Sequence, residues 1–448
     1  MFVIEGTYLP GAGSERIAGD TKSRTFFVER GVGLYGGFLG GEVDENNRLG
    51  NYRQTILSGN LGASGMAYNV IEVSNLTTLS SDLLTVIDGF QIAQGAAYGP
   101  LLPLPGEQQF KLQHGGGIYA GTDSFSGGGL AVKIHNCFFL GNSALASGGA
   151  VYVDGSKADA WAGLFRCHFQ ANRSDTAAGA IAMLEVEGED IYSSGFNYPP
   201  YIYNSTFEFN LAGAETDPDA PTFAGQKGGA IAISPYFTGS PLIYNCLFHH
   251  NFVRGKGAAI AVFGGIGGTS SPDVNISNCS ITENTVLVNP KVSGMSSPGG
   301  IVSVENTGQL TMSNSIIWNN FDPVMTWPIL KDGTSSDGVA YSDIECTCSS
   351  GTYPGTGNIR QDPQFVTVGS NYHLKTSSPC IDRGCTAGCT SPPFASDYGV
   401  QLNYPEQLPT FLVDYEYDWS LLLPRSFDSV FRPNLPGLAD MGCYEVQQ

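Results

Sequence analysis

The chain has 448 residues, of which 59 are Gly and 14% are charged, and its formal net charge is −20. Average soluble domains contain roughly 7% Gly and roughly 25% charged residues, so this composition argues against a fold of long solvated helices. A hydrophobic content of 42% argues equally against disorder. With 21 Lys+Arg against 41 Asp+Glu, the composition gives no electrostatic footprint for phosphates, and we expect no nucleic-acid partner.

The first residues are typical of a strand, from Phe2 to Tyr8 with a break at Gly6. They lack the basic segment and apolar core of a secretory signal, so we expect the natural precursor to begin upstream of Met1. The rest of the sequence contains no uninterrupted apolar run of about 18 residues, which predicts no membrane span.

Two short motifs recur through the middle of the chain. The first is a Gly-Gly-Ala-Ile segment or a close variant, and its copies start at Gly115, Gly148, Ala178, Gly228, Gly257 and Gly299. The second is a Phe-x-x-Asn segment or a close variant, and its copies end at Asn142, Asn172, Asn210, Asn251, Asn284 and Asn320. These asparagines are separated by 30 to 41 residues, so constant rungs alternate with loops that tolerate insertions.

Each rung consists of short segments of period two that are broken by Gly and Asn, which excludes a helical repeat. Three short strands per rung, stacked at roughly 4.8 Å, predict an all-β fold: a parallel β-helix of about ten coils. Like residues should stack in its interior, as Ile134, Cys137 and Phe139 do with their counterparts. The repeat cysteines are then small buried hydrophobic residues. We expect each terminal Asn to adopt left-handed geometry and to join a hydrogen-bonded ladder.

The Gly-Gly-Ala-Ile strand should present small residues on its outer face. With Ile231 and Ile233 pointing inward, strict alternation places seven alanines outward: Ala150, Ala180, Ala230, Ala259, Ala182, Ala232 and Ala261. Such a face carries no acid, base or metal ligand, which weakens an enzymatic interpretation. A flat row of small residues permits close approach, so we expect this face to be covered by the chain's own loops and tail, or by another copy or partner.

The Phe-x-x-Asn strand carries titratable residues instead. Glu208 should lie beside His249 in the next rung, and His250 beside Glu283. Such pairs can act as general acids and bases. Hydrogen bonds or weak ion pairs between rungs account for them without catalysis, and we favour that structural interpretation over metal binding. We therefore predict no catalytic residue.

Acidic loops lie between the rungs. Glu215, Asp217 and Asp219 offer oxygen ligands at calcium-like spacing. A solvated acidic loop is the simpler interpretation, because no EF-hand pattern accompanies them. We predict no cofactor, with calcium as the alternative.

The last quarter of the chain holds six further cysteines: Cys346, Cys348, Cys380, Cys385, Cys389 and Cys443. An even set in a turn-rich tail indicates disulfides and an oxidising compartment, with fifteen connectivities if all six pair. Zinc is a weaker alternative, because no spacing matches a zinc ribbon. We expect residues 1–375 to form the solenoid and residues 376–448 to form a cysteine-rich cap or tail packed on it.

The segments at Phe139, Phe169, Phe207 and Phe248, with Gly228-Gly-Ala-Ile231, resemble the repeats of chlamydial polymorphic outer-membrane proteins, which are β-helical adhesins. The whole chain is more similar to bacterial right-handed β-helix surface proteins with a choice-of-anchor C-terminal region. Residues 5–8, 31–38, 55–59, 315–320, 357–365, 372–384 and 440–445 carry this resemblance. An insertion, roughly 386–438, departs from the pattern. The chain also ends three residues after Glu445, so its route to a surface stays open.

The resemblance implies a right-handed solenoid that is secreted or displayed at a surface, and it names no reaction. We therefore predict a non-enzymatic, extracellular or cell-surface protein for adhesion, display or self-assembly. A homo-oligomer or filament, and cell-surface glycans or proteins, are the expected partners. The alternatives are a polysaccharide-active lyase, hydrolase or epimerase, which rests on fold analogy alone, and a carbohydrate-binding module.

Overall fold

The structure, a computed structural model, describes residues 1–42, 48–74, 84–100, 110–121, 130–155, 160–186, 200–213, 226–235, 241–263, 273–287, 299–323, 327–332, 335–348, 351–381, 383–384 and 441. In these residues the chain winds repeatedly through three long parallel sheets, called A, B and C, and a short fourth sheet D. Short 3₁₀ helices lie near the N-terminal end at Thr21–Ser23, Tyr52–Gln54 and Gly62–Ser64.

Neighbouring strands within each sheet come from successive coils. Sheet A contains Phe2–Ile4, Gly33–Phe38, Leu84–Asp88, Leu130–His135, Ala160–Phe165, Tyr201–Tyr203, Leu242–Tyr244, Asp273–Ser277, Gln309–Ser313 and Ser336–Ala340. Sheet B, formed by the Phe-x-x-Asn segments and their counterparts, contains Gly6–Tyr8, Thr55–Ser58, Gln91–Ala93, Phe138–Leu140, His168–Gln170, Thr206–Glu208, Leu247–His249, Ser280–Thr282, Ile316–Trp318 and Asp343–Ile344.

Sheets C and D complete each coil. Sheet C, formed by the Gly-Gly-Ala-Ile segments and their counterparts, contains Phe26–Glu29, Ile71–Ser74, Ile118–Gly121, Val151–Asp154, Ile181–Val186, Ile231–Pro235, Ile260–Phe263, Val302–Glu305 and Ile329–Lys331. Sheet D contains Ala96–Ala97, Ser143–Ala144, Arg173–Ser174, Leu211–Ala212, Phe252–Val253 and Thr285–Val286. Sheets A and B each have ten strands, so the prediction of a parallel β-helix of about ten coils is confirmed.

A column of phenylalanines runs through the core behind sheet B. The rings of Phe139, Phe169, Phe207 and Phe248 are fully buried, and successive centroids lie 4.7, 4.8 and 4.7 Å apart. Successive ring planes differ by 5° or less, so each ring repeats its neighbour's orientation. Because a slip by one residue would turn every ring to the outer face, this column fixes the register of the stacked coils.

The repeat cysteines form a second buried column, as predicted. The thiol of Cys167 donates to the Ile134 carbonyl of the preceding coil at 3.2 Å, and the thiol of Cys246 donates to the Ile202 carbonyl at 3.4 Å. Ser205 takes the same position between them, and its hydroxyl accepts a hydrogen bond from the Cys167 backbone N–H at 3.1 Å. A small, weakly polar side chain therefore suits this position, because it fits the core and also bonds to the backbone at the corner.

The asparagine ladder is present, but its backbone geometry differs from the prediction. From Asn142 to Asn284, each Asn is fully buried, and its side chain donates to the Asn side-chain oxygen of the next coil. The left-handed residue is the one before each ladder Asn, at Gly141, Ala171, Phe209, His250, Glu283 and Asn319, with φ between 53° and 61°. That residue turns the corner, and the turn lets the following Asn point into the core.

After the last described coil, the chain forms an antiparallel hairpin instead of another coil. The described strands of sheets A, B and C end at Ile344, whose N–H donates to the Ile359 carbonyl at 3.1 Å. Two later strands, Phe365–Thr367 and Asn371–Leu374, pair antiparallel as a hairpin. This hairpin falls within the predicted solenoid range 1–375, yet it packs on the outside of sheet B and adds no coil, because its strands pair with each other.

Candidate functional site

Four of the seven alanines predicted on the outer face of sheet C lie in the interior instead. Ala150, Ala180, Ala230 and Ala259 lie in the main interior cluster, so their outward placement was wrong. Each precedes the first residue of its strand, where the chain bends. The N–H groups of Ala150 and Val151 both donate to the Ala180 carbonyl, at 3.0 and 2.9 Å. Strict alternation therefore begins one residue later than the sequence pattern indicated.

The other three alanines do alternate outward but are not accessible. Ala182, Ala232 and Ala261 are each fully buried. A satellite cluster occupies this side of sheet C, and it comprises Tyr119, Tyr152, Ala177, Ala178, Ala182 and Ala232, with Leu184 and Phe263 partly buried against it. The folded single chain therefore closes this face, and a role for these alanines in an intermolecular interface stays a prediction.

Charged groups border the same face toward its C-terminal end. Lys227 and Lys256 bind the same Glu305 carboxylate oxygen, at 3.1 and 3.3 Å. The Lys227 ammonium also lies 4.8 Å from the centroid of the Phe263 ring. These groups tie successive coils together across sheet C.

The outer face of sheet B holds the titratable side chains that the sequence predicted to pair between coils. Glu208 is its centre: one carboxylate oxygen lies 2.7 Å from His168 Nε2, and the other lies 3.4 Å from His249 Nε2. Arg53 Nη2 lies 3.1 Å from His168 Nδ1. Because the guanidinium can only donate, His168 Nδ1 accepts from Arg53 and Nε2–H donates to Glu208.

The network continues into the next coil and onto the hairpin. His249 Nδ1 lies 3.0 Å from His250 Nδ1 and 3.4 Å from the hydroxyl of Tyr372. His250 Nε2 lies 3.8 Å from Glu283, whose Oε2 accepts a hydrogen bond of 2.5 Å from the Tyr372 hydroxyl. The predicted neighbours Glu208 and His249, and His250 and Glu283, are confirmed. We call these groups, with Arg53 and His168, the histidine–glutamate network.

Burial and the hydrogen bonds of the network shift the pKa values of its members. Burial alone would raise the pKa of Glu208, but the hydrogen bond from His168 and the charges of the neighbouring histidines lower it overall. Burial lowers the pKa of His249 to about 4, so this ring is neutral at pH 7. Both ring nitrogens of His168 and of His249 lie within 3.5 Å of a partner in the chain, and so does His250 Nδ1, whereas His250 Nε2 lies 3.8 Å from Glu283, beyond hydrogen-bond distance. A substrate would therefore have to displace an existing contact before His168 or His249 accepted a proton.

Three members of the network were missed from the sequence. His168 lies two positions before Gln170 on the same outward face, and alternation along its strand was the available signal. Arg53 comes from the short 3₁₀ helix Tyr52–Gln54 before the strand Thr55–Ser58, and Tyr372 comes from the C-terminal hairpin. No spacing rule relates these last two to sheet B, since they reach it from outside the repeat.

The outer face of sheet A carries an aromatic stripe that the sequence reasoning overlooked. Trp161 and Tyr201 have ring centroids 5.5 Å apart, and Tyr201 and Tyr203 have centroids 4.8 Å apart. Tyr201 lies flat across Gly163, where an added Cβ would lie 2.5 Å from the ring. The alternating outward positions of Ala160–Phe165 and Tyr201–Tyr203 were the signal.

Polar groups border this stripe on its N-terminal side. His135 Nε2 lies 3.5 Å from the Tyr201 hydroxyl, and Asp88 is held by both Arg48 side-chain amino groups at 3.0 Å. Burial lowers the pKa of Lys133 to about 8 and that of His135 to about 4. Lys133, His135 and Tyr201 are each at most 9% exposed, so these groups are shielded from solvent in the folded chain.

The other predicted site residues are the cysteines of the last quarter and the calcium candidates, and the structure describes only some of them. Cys346 and Cys348 form a disulfide. The Cys380 thiol donates to Asp343 Oδ2 at 3.1 Å. The calcium candidates Glu215, Asp217 and Asp219, and the cysteines Cys385, Cys389 and Cys443, lie outside the described residues.

Within the described ranges, no group of three or more His, Cys, Asp or Glu side chains is arranged to hold a metal ion. The same part of the chain contains no helix that is long and apolar enough to span a bilayer.

Comparison with known families agrees with this architecture. Residues 116–343 match the family described as the right handed beta helix region, and they make up just over half of the chain. The chain therefore belongs to this family, and its solenoid is a right-handed parallel β-helix. A comparison with curated proteins gave no match.

Proposed function

We propose that this chain is a non-enzymatic β-helix protein of a cell surface or extracellular matrix, serving adhesion, display or self-assembly. The observation that supports this most is that most polar atoms of the histidine–glutamate network are bound to other members of the network. Its histidines use their ring nitrogens to join adjacent coils, Arg53 and the C-terminal hairpin. A catalytic acid–base pair needs a group directed at substrate, whereas these groups are directed at each other.

Two further features support an extracellular setting. The Cys346–Cys348 disulfide suits an oxidising compartment, because thiols in the cytosol are kept reduced. The resemblance of the repeats to those of surface β-helix adhesins points the same way. A stacked solenoid with a fixed register also provides a stiff rod, which is suited to holding attached loops away from a surface.

The second candidate is a carbohydrate-active or carbohydrate-binding protein, and the stripe on sheet A favours it. Aromatic rings beside a buried amine and a Tyr hydroxyl are groups that suit a polar, ring-shaped ligand. The low exposure of Lys133, His135 and Tyr201 counts against this candidate, since a ligand must first uncover them. We therefore rank it below the non-enzymatic function.

The experiment combines assembly and turnover on one preparation of the full chain. Size-exclusion chromatography with light scattering and electron microscopy tests for oligomers or filaments, and a glycan array tests for binding. A screen against neutral and acidic polysaccharides tests for cleavage, with Glu208→Gln, Lys133→Met and the exposed control Lys331→Met in parallel. The proposal predicts assembly or binding without cleavage. Cleavage that is abolished by Glu208→Gln or Lys133→Met, but not by Lys331→Met, would contradict it and identify the face responsible.

A further inference from the structure

The C-terminal hairpin is attached to the solenoid through side chains on the outer face of sheet B. Phe365, Tyr372 and Leu374 are buried against Leu247 and Ile316, which point outward from their strands. The two hairpin strands pair with each other in antiparallel fashion. The hairpin thus lies across the side of the solenoid, where its buried side chains share one cluster with Cys380.

The Tyr372 hydroxyl provides the polar contacts between the hairpin and sheet B. The Tyr372 hydroxyl donates to Glu283 at 2.5 Å and lies 3.4 Å from His249 Nδ1. The Tyr372 and His249 rings also pack together, with centroids 5.0 Å apart. The docked hairpin therefore covers His249, whose side chain is only 10% exposed.

The groups that face His249 come from three directions. Glu208 of the preceding coil lies 3.4 Å from Nε2, and it is already bound to His168 at 2.7 Å. His250 on the same coil lies 3.0 Å from Nδ1. Tyr372 of the hairpin faces Nδ1 from above and carries the hydrogen bond to Glu283. A proton on His249 would thus create a buried cation whose nearest carboxylate is shared with another histidine.

Docking and protonation of His249 therefore oppose each other. Burial lowers the pKa of His249 to about 4 when the hairpin is docked. When the hairpin leaves, the ring meets water and its pKa returns toward the ordinary value of about 6.5. The undocked state then binds the proton more tightly, so acid shifts the equilibrium toward undocking.

We propose that the hairpin formed by Phe365–Thr367 and Asn371–Leu374 is an acid-released strap: docked on sheet B at neutral pH, it detaches in mildly acidic solution. Detachment uncovers the apolar outer side chains of Leu247 and Ile316. This regulation is independent of the proposed adhesive function, because it follows from the contacts of the hairpin alone.

The following segment limits the release to the hairpin. Cys380 donates to Asp343 Oδ2 at 3.1 Å, and burial raises the pKa of Asp343 to about 6. Acid therefore favours the docked state at this contact, with the opposite sign to that at His249. The hairpin detaches while the chain around Cys380 stays in place.

Hydrogen exchange measured by mass spectrometry at pH 7.5 and pH 5.0, corrected for intrinsic rates, tests this proposal. The two His249 pKa values imply that the undocked fraction rises about 30-fold at pH 5.0. Peptides covering residues 365–374 should exchange correspondingly faster, while peptides covering the ladder strand Phe138–Leu140 should not. Equal exchange of the hairpin at both pH values would overturn the proposal, as would a rise shared equally by the ladder peptides.

Matched variants test whether the pH dependence of hairpin exchange comes from His249. His249→Gln cannot take up the proton and should lose the pH dependence of hairpin exchange. His373→Gln is the control, since His373 alternates with the buried Tyr372 and Leu374 on the hairpin, and it should keep the full rise. If His249→Gln lacks native circular dichroism, Tyr372→Phe replaces it, with faster hairpin exchange expected already at pH 7.5. An unchanged pH response in His249→Gln, or unchanged exchange in Tyr372→Phe, contradicts the proposal.

Discussion

The side-chain oxygen of Asn172 accepts two hydrogen bonds from Asn142, one from its backbone N–H at 3.0 Å and one from its Nδ2 at 3.1 Å. The same Nδ2 of Asn142 donates to the Ile92 carbonyl at 2.9 Å in the preceding coil. One buried side chain therefore connects three successive coils. The pattern repeats along the rod, so each ladder Asn supports both of its neighbours.

The first prediction concerns the middle of this ladder. Asn210→Ala removes the acceptor of the Asn172 backbone N–H at 3.1 Å and the donor to the Phe169 carbonyl at 3.0 Å. Buried groups left without partners cost about 1–3 kcal/mol each, so we expect a loss of about 2–5 kcal/mol in the free energy of unfolding. Urea denaturation measures it, with the exposed turn variant Asn60→Ala as the control. Equal losses in the two variants would show that the ladder contributes little.

The second prediction concerns the phenylalanine column. Phe207→Ala removes a fully buried ring stacked between Phe169 and Phe248, and we expect a loss of about 3–5 kcal/mol. Phe207→Leu should cost less, about 1 kcal/mol, since Ile281 already fills the equivalent position in the column. Thermal and urea unfolding of both variants test this order. A Leu variant as unstable as the Ala variant would mean that ring stacking, and not filled volume, dominates.

The third prediction concerns the buried thiols. Burial raises the pKa of Cys137 well above its ordinary value and that of Cys167 to about 12, so neither forms a thiolate at pH 8. We expect both to resist iodoacetamide in the folded protein and to react fully in denaturant. Peptide mapping after labelling measures each site. Rapid labelling of Cys137 under native conditions would show that the core opens locally.

The fourth prediction concerns Asp343, whose pKa burial raises to about 6. A carboxyl whose folded-state pKa is raised stabilises the fold below its unfolded pKa of about 4, and that contribution is lost as pH rises through 6. Asp343→Asn removes the buried charge, so we expect a gain of about 3 kcal/mol at pH 7.5 and little change at pH 4. Unfolding free energies at the two pH values test this sign. A loss of stability at pH 7.5 would show that the ionised carboxylate is needed for its bonds to Cys380 and Gln361.

Much of this architecture was predictable because the repeat marks the same position in every coil. The ladder residues, the phenylalanine column and the pairs Glu208–His249 and His250–Glu283 follow directly from aligned copies. Alternation failed at Ala150 because the residue before a strand belongs to a corner, where period two does not apply. Arg53 and Tyr372 were not predictable, since both reach sheet B from segments that lie outside the repeat.

The aromatic stripe on sheet A shows a different limit. The aligned copies at Leu164 and Ile202 place Gly163 opposite Tyr201, but Trp161 and Tyr201 stand at different positions of the repeat. Their neighbourhood depends on strand pairing, in which Gly163 lies opposite Tyr201. The glycine leaves room for the Tyr201 ring to lie beside Trp161, and no position of the repeat marks this side-chain contact.

We propose that the histidine–glutamate network supports the fold and performs no catalysis. The most direct test measures the free energy of unfolding and polysaccharide turnover for Glu208→Gln beside the parent protein. We expect the variant to lose about 1–3 kcal/mol, since its bonds to His168 and His249 are weakened, and we expect no turnover in either protein. Turnover by the parent that disappears in Glu208→Gln, with stability unchanged, would contradict this account.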